Sequence, residues 1–382
     1  MKKIIAISVM FVLLTGAVFA ADLGVTVIGH VDVFSNSGAD DAEMETNGGM
    51  DRIRFDGAGE NDDGTFGAWA RIDGSGGFSA AAYAWWKPID QLKLIIGGQP
   101  DGLWGKEGVT GWGFGQMVTD TGVTNDGDHV WGGGVFGLNT RNAFYGGNGC
   151  NSLALEITPA EIATIVISLP AMIEGRPDPW ETSYMKSPKE GAPNETANVF
   201  AAATAQLSLN FDFGNIAITY APPKYYSFSG PWNPGVGSVI YAYFGGNFGA
   251  LGLDVGLGYQ LTGEDKITQP ISFGVGVKYA ADSFGVKFRA IAALAGDDKT
   301  TRILADVLPY FVLSDSMRAF VSVGIGMIMP DGGESDTAFH FNPWIEVGQE
   351  WGPCFYAGVK AQKDSKDGDL SWAVPIALLV SF

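Results

Sequence analysis

Three histidines, two cysteines and 42 carboxylate side chains are the groups with which this 382-residue chain could do covalent or metal chemistry. His30, His129 and His340 lie far apart, and none belongs to a metal-ligand pair such as H-E-x-x-H. His30 and Asp32 alternate onto one strand face, where half of a catalytic dyad could sit. No G-x-S-x-G, P-loop or intact G-x-G-x-x-G accompanies them; Gly111-Trp112-Gly113-Phe114-Gly115 lacks the last glycine and opens no helix. Asp62-Asp63, Asp297-Asp298 and the stretch from Asp331 to Asp336 are turn chemistry, without the ligand spacing of a calcium loop. No catalytic residue, metal or cofactor is expected, and the chain does not read as an enzyme.

Charge placed on alternate positions is a different kind of chemistry. Arg52, Arg54 and Arg71 form one group, and Lys278, Lys287, Arg289, Arg302 and Arg318 a second. All fall on the polar face of an alternating segment, as the lining of a pore would. The interruption at 99–151 carries the counterpart: Glu107, Asp120, Asp126 and Asp128 beside Trp104, Trp112 and Trp131. Were that segment folded into a water-filled passage, its carboxylates would face the basic wall and concentrate cations at the narrowest point. Aromatic rings beside acids also stack on and hydrogen-bond sugars, so carbohydrate uptake is the alternative.

The composition says which elements could position such groups. Only 17% of residues are charged, against about 25% in a typical soluble domain, while 46% are hydrophobic and 12% aromatic. Glycine supplies 55 residues. That apolar content excludes a disordered chain, and a net charge of −19 excludes a nucleic-acid partner. Met1-Lys2-Lys3, the apolar run from Ile4 to Val18 and Val18-Phe19-Ala20 read as a secretory signal peptide over residues 1–20, followed by Ala21. Its removal carries the charge from −19 to −21 by loss of Lys2 and Lys3. Cys150 and Cys354 are too few for a disulfide framework. Past the leader, no apolar run is long enough for a membrane helix.

The remaining chain, 21–382, repeats one device. Leu251, Leu253, Val255, Leu257 and Tyr259 alternate with Gly252, Asp254, Gly256 and Gly258. Ile271 to Tyr279, Phe284 to Ala290, Val199 to Phe213, Met317 to Met327, Phe355 to Ala361 and Trp372 to Phe382 do the same. Period two makes each a strand with one apolar and one polar face. The connections sort by length: tight near 158–160, 214–215, 281–283, 314–316 and 349–352, long at 35–49, 99–151, 170–197, 222–237 and 330–337. A sandwich has no reason to sort its loops, whereas a transmembrane barrel puts short turns on one side and long loops on the other. Phe211, Phe213, Tyr259, Tyr279 and Phe284 stand at strand ends on the apolar face, as an aromatic girdle does. The expectation is an all-β chain forming a single transmembrane antiparallel barrel of about 18 strands, with 16 as the alternative. By this count Cys150 and Cys354 lie at opposite rims and form no disulfide within one barrel.

With its leader, its alternating strands and a last strand, Trp372-Ala373-Val374-Pro375-Ile376-Ala377-Leu378-Leu379-Val380-Ser381-Phe382, that ends in phenylalanine, the chain resembles a Gram-negative outer-membrane porin. Its glycine-rich, acidic style is similar to that of spirochaete outer-membrane proteins. The resemblance implies a channel in the cell outer membrane for passive diffusion of small hydrophilic solutes, embedded in outer-membrane lipid. It also implies that Phe382 is part of the signal read by the barrel-assembly machinery, and that the analogous assembly is a homotrimer. A surface adhesin or antigen on the same scaffold is the other reading. Pro375 departs from the pattern, because proline cannot donate to a strand ladder.

Overall fold

The computed structural model describes residues 22–36, 44–74, 78–97, 153–169, 204–221, 239–260, 271–294, 300–349, 353–363 and 365–381, and every regular element among them is a β-strand. In chain order these are β1 (Asp22–Asn36), β2 (Glu45–Glu60), β3 (Phe66–Gly74), β4 (Phe78–Ile89), β5 (Leu92–Gly97) and β6 (Leu153–Ala160). There follow β7 (Ala163–Leu169), β8 (Thr204–Phe211), β9 (Gly214–Ala221), β10 (Val239–Phe248), β11 (Leu251–Gln260), β12 (Ile271–Ala280) and β13 (Phe284–Ala293). The last are β14 (Thr300–Ser314), β15 (Met317–Pro330), β16 (Asp336–Gly348), β17 (Cys354–Gly358), β18 (Lys360–Lys363) and β19 (Ser371–Ser381). Each pairs antiparallel with its sequence neighbours, and β19 pairs with β1, so the sheet closes on itself. β17 and β18 both lie between β16 and β19 and form one strand interrupted at Val359, which makes an 18-stranded barrel. The 16-strand alternative is thereby corrected.

Loop sorting holds on one rim, while connections on the other range from three residues at 75–77 and five at 331–335 to 55 at 98–152. Every connection from an even strand position to the next odd one spans two to five residues, from 61–65 through 349–353. Details differ from expectation where local chemistry was misleading. The glycine-rich stretch expected in loop 35–49 is partly ladder, since β2 starts at Glu45 and Gly48 and Gly49 pair with Val31 and His30. The loop expected at 330–337 shrinks to 331–335 between β15 and β16. Thr158-Pro159-Ala160 ends β6 around a register shift, and the turn is Glu161-Ile162. Gly214-Asn215 opens β9 rather than forming the turn, which is Asp212-Phe213. Gly214 is required there for close approach: a Cβ would stand 2.2 Å from the carbonyl oxygen of Gly245.

Pro375 is accommodated by irregularity on both sides. Its partner in β1 is Asp32, where the register slips before Ser35, and its other flank faces the β17–β18 break. A ladder already interrupted there loses little to the missing N–H.

The distribution of side chains is inverted relative to a water-soluble protein. Leu257, Phe273, Ile345 and Leu378 on one face are 44–52% exposed, while Asp254, Arg289, Asp306 and Glu346 on the other are 0–2% exposed. In water, buried charges are rare and apolar patches small. An apolar outer wall around a charged inner one fits a barrel surrounded by lipid. At the short-turn rim, outward rings stack in pairs: Phe66 on Trp86, Phe211 on Phe213, Phe213 on Phe248 and Tyr279 against Phe284. Rings with one apolar side and one wet side suit that interface.

Cys354 is buried as the first residue of β17, at the short-turn rim, whereas β6 begins at the opposite rim with Leu153. Cys150 lies outside the described residues. Cys354 is expected to stay a free thiol: labelling after denaturation should find it alkylatable without reductant. A Cys150–Cys354 crosslink within one chain would overturn this topology.

Candidate functional site: the inner wall

The inner wall is built in rows that follow the register. One row runs Gly245–Asp254–Gly276–Arg289–Asp306–Gly324–His340–Gln362, crossing β10 through β16 and ending on β18. Charged and polar residues occupy it with glycines between them. Arg289 Nε donates to Asp306 Oδ2 at 2.5 Å, and both side chains are almost wholly buried. Tyr243 donates its hydroxyl to Asp254 at 2.7 Å. His340 Nε2 is 2.8 Å from Ser322 Oγ and 3.7 Å from Asp306 Oδ1.

Ser322, His340 and Asp306 have the residue types of a hydrolytic triad but not its geometry. A relay needs serine on one ring nitrogen and the carboxylate on the other. Here both face Nε2, and the three residues are 0–3% exposed. The cluster is a buried network that fixes the wall.

Toward the short-turn rim, past Leu308, Ser322 and Asn342, come an aromatic layer and then a charged one. Tyr310, Phe320 and Trp344 are direct cross-strand neighbours, with ring centroids 5.6 Å and 4.9 Å apart. Tyr356 closes the row against Trp344 at 6.2 Å. Beyond them Arg318 Nη2 lies 3.4 Å from Glu346 Oε2, whose other oxygen accepts from Trp344 Nε1 at 3.0 Å.

The wall of β3 to β5 carries a second aromatic group. Trp69 stacks on Tyr83 at 5.4 Å, and Tyr83 tilts against Trp85 at 5.8 Å. The Arg71 guanidinium lies 4.9 Å from the Trp69 ring, and Lys93 Nζ lies 5.2 Å from that of Trp85. Arg71 Nε also donates to Asp56 Oδ1 at 2.5 Å. Trp85 sits directly over Gly67, where a Cβ would fall inside the indole.

Of the residues singled out by alternation, Arg54, Arg71, Lys278, Lys287, Arg289 and Arg318 have described side chains and share the inner face. Lys278 and Lys287 are direct cross-strand neighbours. Arg52 and Arg302 occupy positions in β2 and β14, with side chains outside the description. Trp104, Glu107, Trp112, Asp120, Asp126, Asp128, Trp131 and Phe382 lie outside the described residues. Alternation missed the partners of the basic set, Asp56, Asp306 and Glu346. Each stands on a polar face in the sequence, but pairing across strands needs the register.

A closed antiparallel barrel of 18 strands, apolar outside and charged within, defines the class: a membrane-type barrel wide enough to hold an aqueous channel. No family model and no curated protein matches the chain. Solved structures do match in fold. OccAB4 of Acinetobacter baumannii has a TM-score of 0.55 at 8% identity, with 95% of this chain and 98% of that one covered. OmpF of Salmonella typhi gives 0.53 at 11%, covering 95% and 97%. An anion-selective porin from Comamonas acidovorans gives 0.52 at 11%, covering 95% and 99%. This chain has the porin barrel fold.

Proposed function

We propose that the protein is an outer-membrane channel for passive diffusion of small hydrophilic solutes, exported by the signal at residues 1–20 and assembled through a C-terminal signal that includes Phe382. The observation that carries the reading is the inverted side-chain distribution of a closed barrel of this strand number. Cation preference is the finer part of the proposal. Arg71, Arg289 and Arg318 each have a carboxylate on a neighbouring strand, so the field of these three is largely cancelled. Exposed charges are screened beyond about 8–10 Å at physiological salt. Selectivity therefore belongs to carboxylates nearest the ion path, and Asp120, Asp126 and Asp128 are the proposed set.

The test is conductance of the purified protein in a planar bilayer. Stepwise, ohmic openings are expected, with a reversal potential showing cation preference. Changing Asp120, Asp126 and Asp128 together to Asn should lower the cation-to-anion permeability ratio at low salt. Electrical silence would count against the channel. An unchanged ratio would remove these three acids from the ion path, and anion preference in the unaltered protein would refute the electrostatic model.

A further inference from the structure

We infer that solutes and ions pass along one side of the barrel, beside the inner face of β2, β3 and β4, and that Arg54, Asp56 and Arg71 are the wall charges they meet. The opposite wall, from β11 to β19, is a dry core whose buried charges take no part in selectivity. The inference rests on the channel reading and deepens it by naming the residues of the path.

Burial divides the inner wall into two parts. On β16, Ala338, His340, Asn342, Trp344 and Glu346 are all 0–3% exposed, a closed run of roughly 26 Å along the strand. Asp254 of β11, Arg289 of β13, Leu308 of β14, Ser322 of β15 and Leu379 of β19 are equally closed. By contrast, every described inner-face side chain of β2, β3 and β4, from Arg54 to Trp85, keeps some of its surface open. Asp56 and Arg71, joined by a hydrogen bond, are 28% and 14% exposed at the side chain. A passing ion stays hydrated only beside wall atoms that water itself reaches, so the hydrated path lies where the exposure is. The charges of the closed wall are matched locally: Arg289 holds Asp306, and Tyr243 donates to Asp254. A charge with its partner against it and no exposed atom gives a passing ion nothing to contact. Asp56 and Arg71 are paired as well, but at the water's edge. There the high dielectric weakens the pair, and an ion within a few ångströms responds to the nearer member.

The unaltered full-length protein in lipid vesicles gives the first test. Brief hydroxyl-radical exposure followed by peptide mass spectrometry compares like side chains, Trp69 with Trp344 and Tyr83 with Tyr356. Trp69 and Tyr83 should oxidise about tenfold faster, because the closed pair must wait for local opening of the wall. Reversal potentials give the second test. Asp56→Asn should lower the cation-to-anion permeability ratio at low salt and Arg71→Gln should raise it, each about two- to sixfold, the effect of one unit charge at about 4–8 Å in water. The double variant Arg289→Met, Asp306→Leu should leave the ratio where it was. Equal oxidation within each like pair would overturn the inference. So would a ratio that the double variant moves, or one that Asp56→Asn and Arg71→Gln both leave unmoved. The expected oxidation pattern in a protein that passes no current would sink the channel reading and leave the wet strip standing.

Discussion

Replacing Arg289 by methionine lowers the folding free energy of the barrel by about 3–5 kcal/mol, the cost of leaving one buried charge without its partner. Arg289 and Asp306 are 2% and 0% exposed at the side chain, and His340 Nε2 stands 3.7 Å from Asp306 on its other side. The double variant Arg289→Met, Asp306→Leu should recover most of the loss, because two apolar groups of similar bulk remove the charges together. Urea unfolding of barrels refolded in lipid vesicles measures both. A single variant as stable as the unaltered chain would mean that water reaches Asp306 and solvates it in place of Arg289.

Gly324→Ala should cost about 1–3 kcal/mol, as overpacking of a closed site does. The added Cβ would stand 2.1 Å from Asp306 Oδ1 and 2.5 Å from His340 Cε1. Neither side chain can swing aside, since Asp306 is held by Arg289 and His340 by Ser322. Gly57→Ala is the control: nothing lies within 4 Å of its Cβ position, so its stability should hardly move. Equal losses at the two positions would show that strand glycines act through backbone freedom alone, and that Gly324 has no special part in the row.

Much of this molecule is legible without coordinates because a barrel wall writes its two faces into alternate residues. Leu251 to Tyr259 and Ile271 to Tyr279 could be assigned to strands, and to the correct face, from period two alone. The sorting of short and long connections supplied the count of 18, because one strand too few would put long loops on both rims. Turn positions were less legible. Gly214 looks like a turn residue by type, and only the backbone of Gly245 behind it explains why it stands in a strand.

The sequence by itself determined the class of element, the apolar and polar faces, and the inner-face position of Arg54, Arg71, Lys278, Lys287, Arg289 and Arg318, since each is a property of one strand and its period. Tertiary structure alone decided who stands beside whom. Asp306 is 17 residues from Arg289, His340 a further 34 along, and Gln362 lies on another strand again; register places them in one row. A shift of two residues in any strand would preserve every face and break the row. Alternation therefore fixes orientation, while neighbourhood follows from hydrogen-bonded pairing between strands that lie far apart in the chain. The glycines express the same division: their abundance is plain in the composition, but that Gly324 makes room for Asp306 and His340 is a fact about three strands at once.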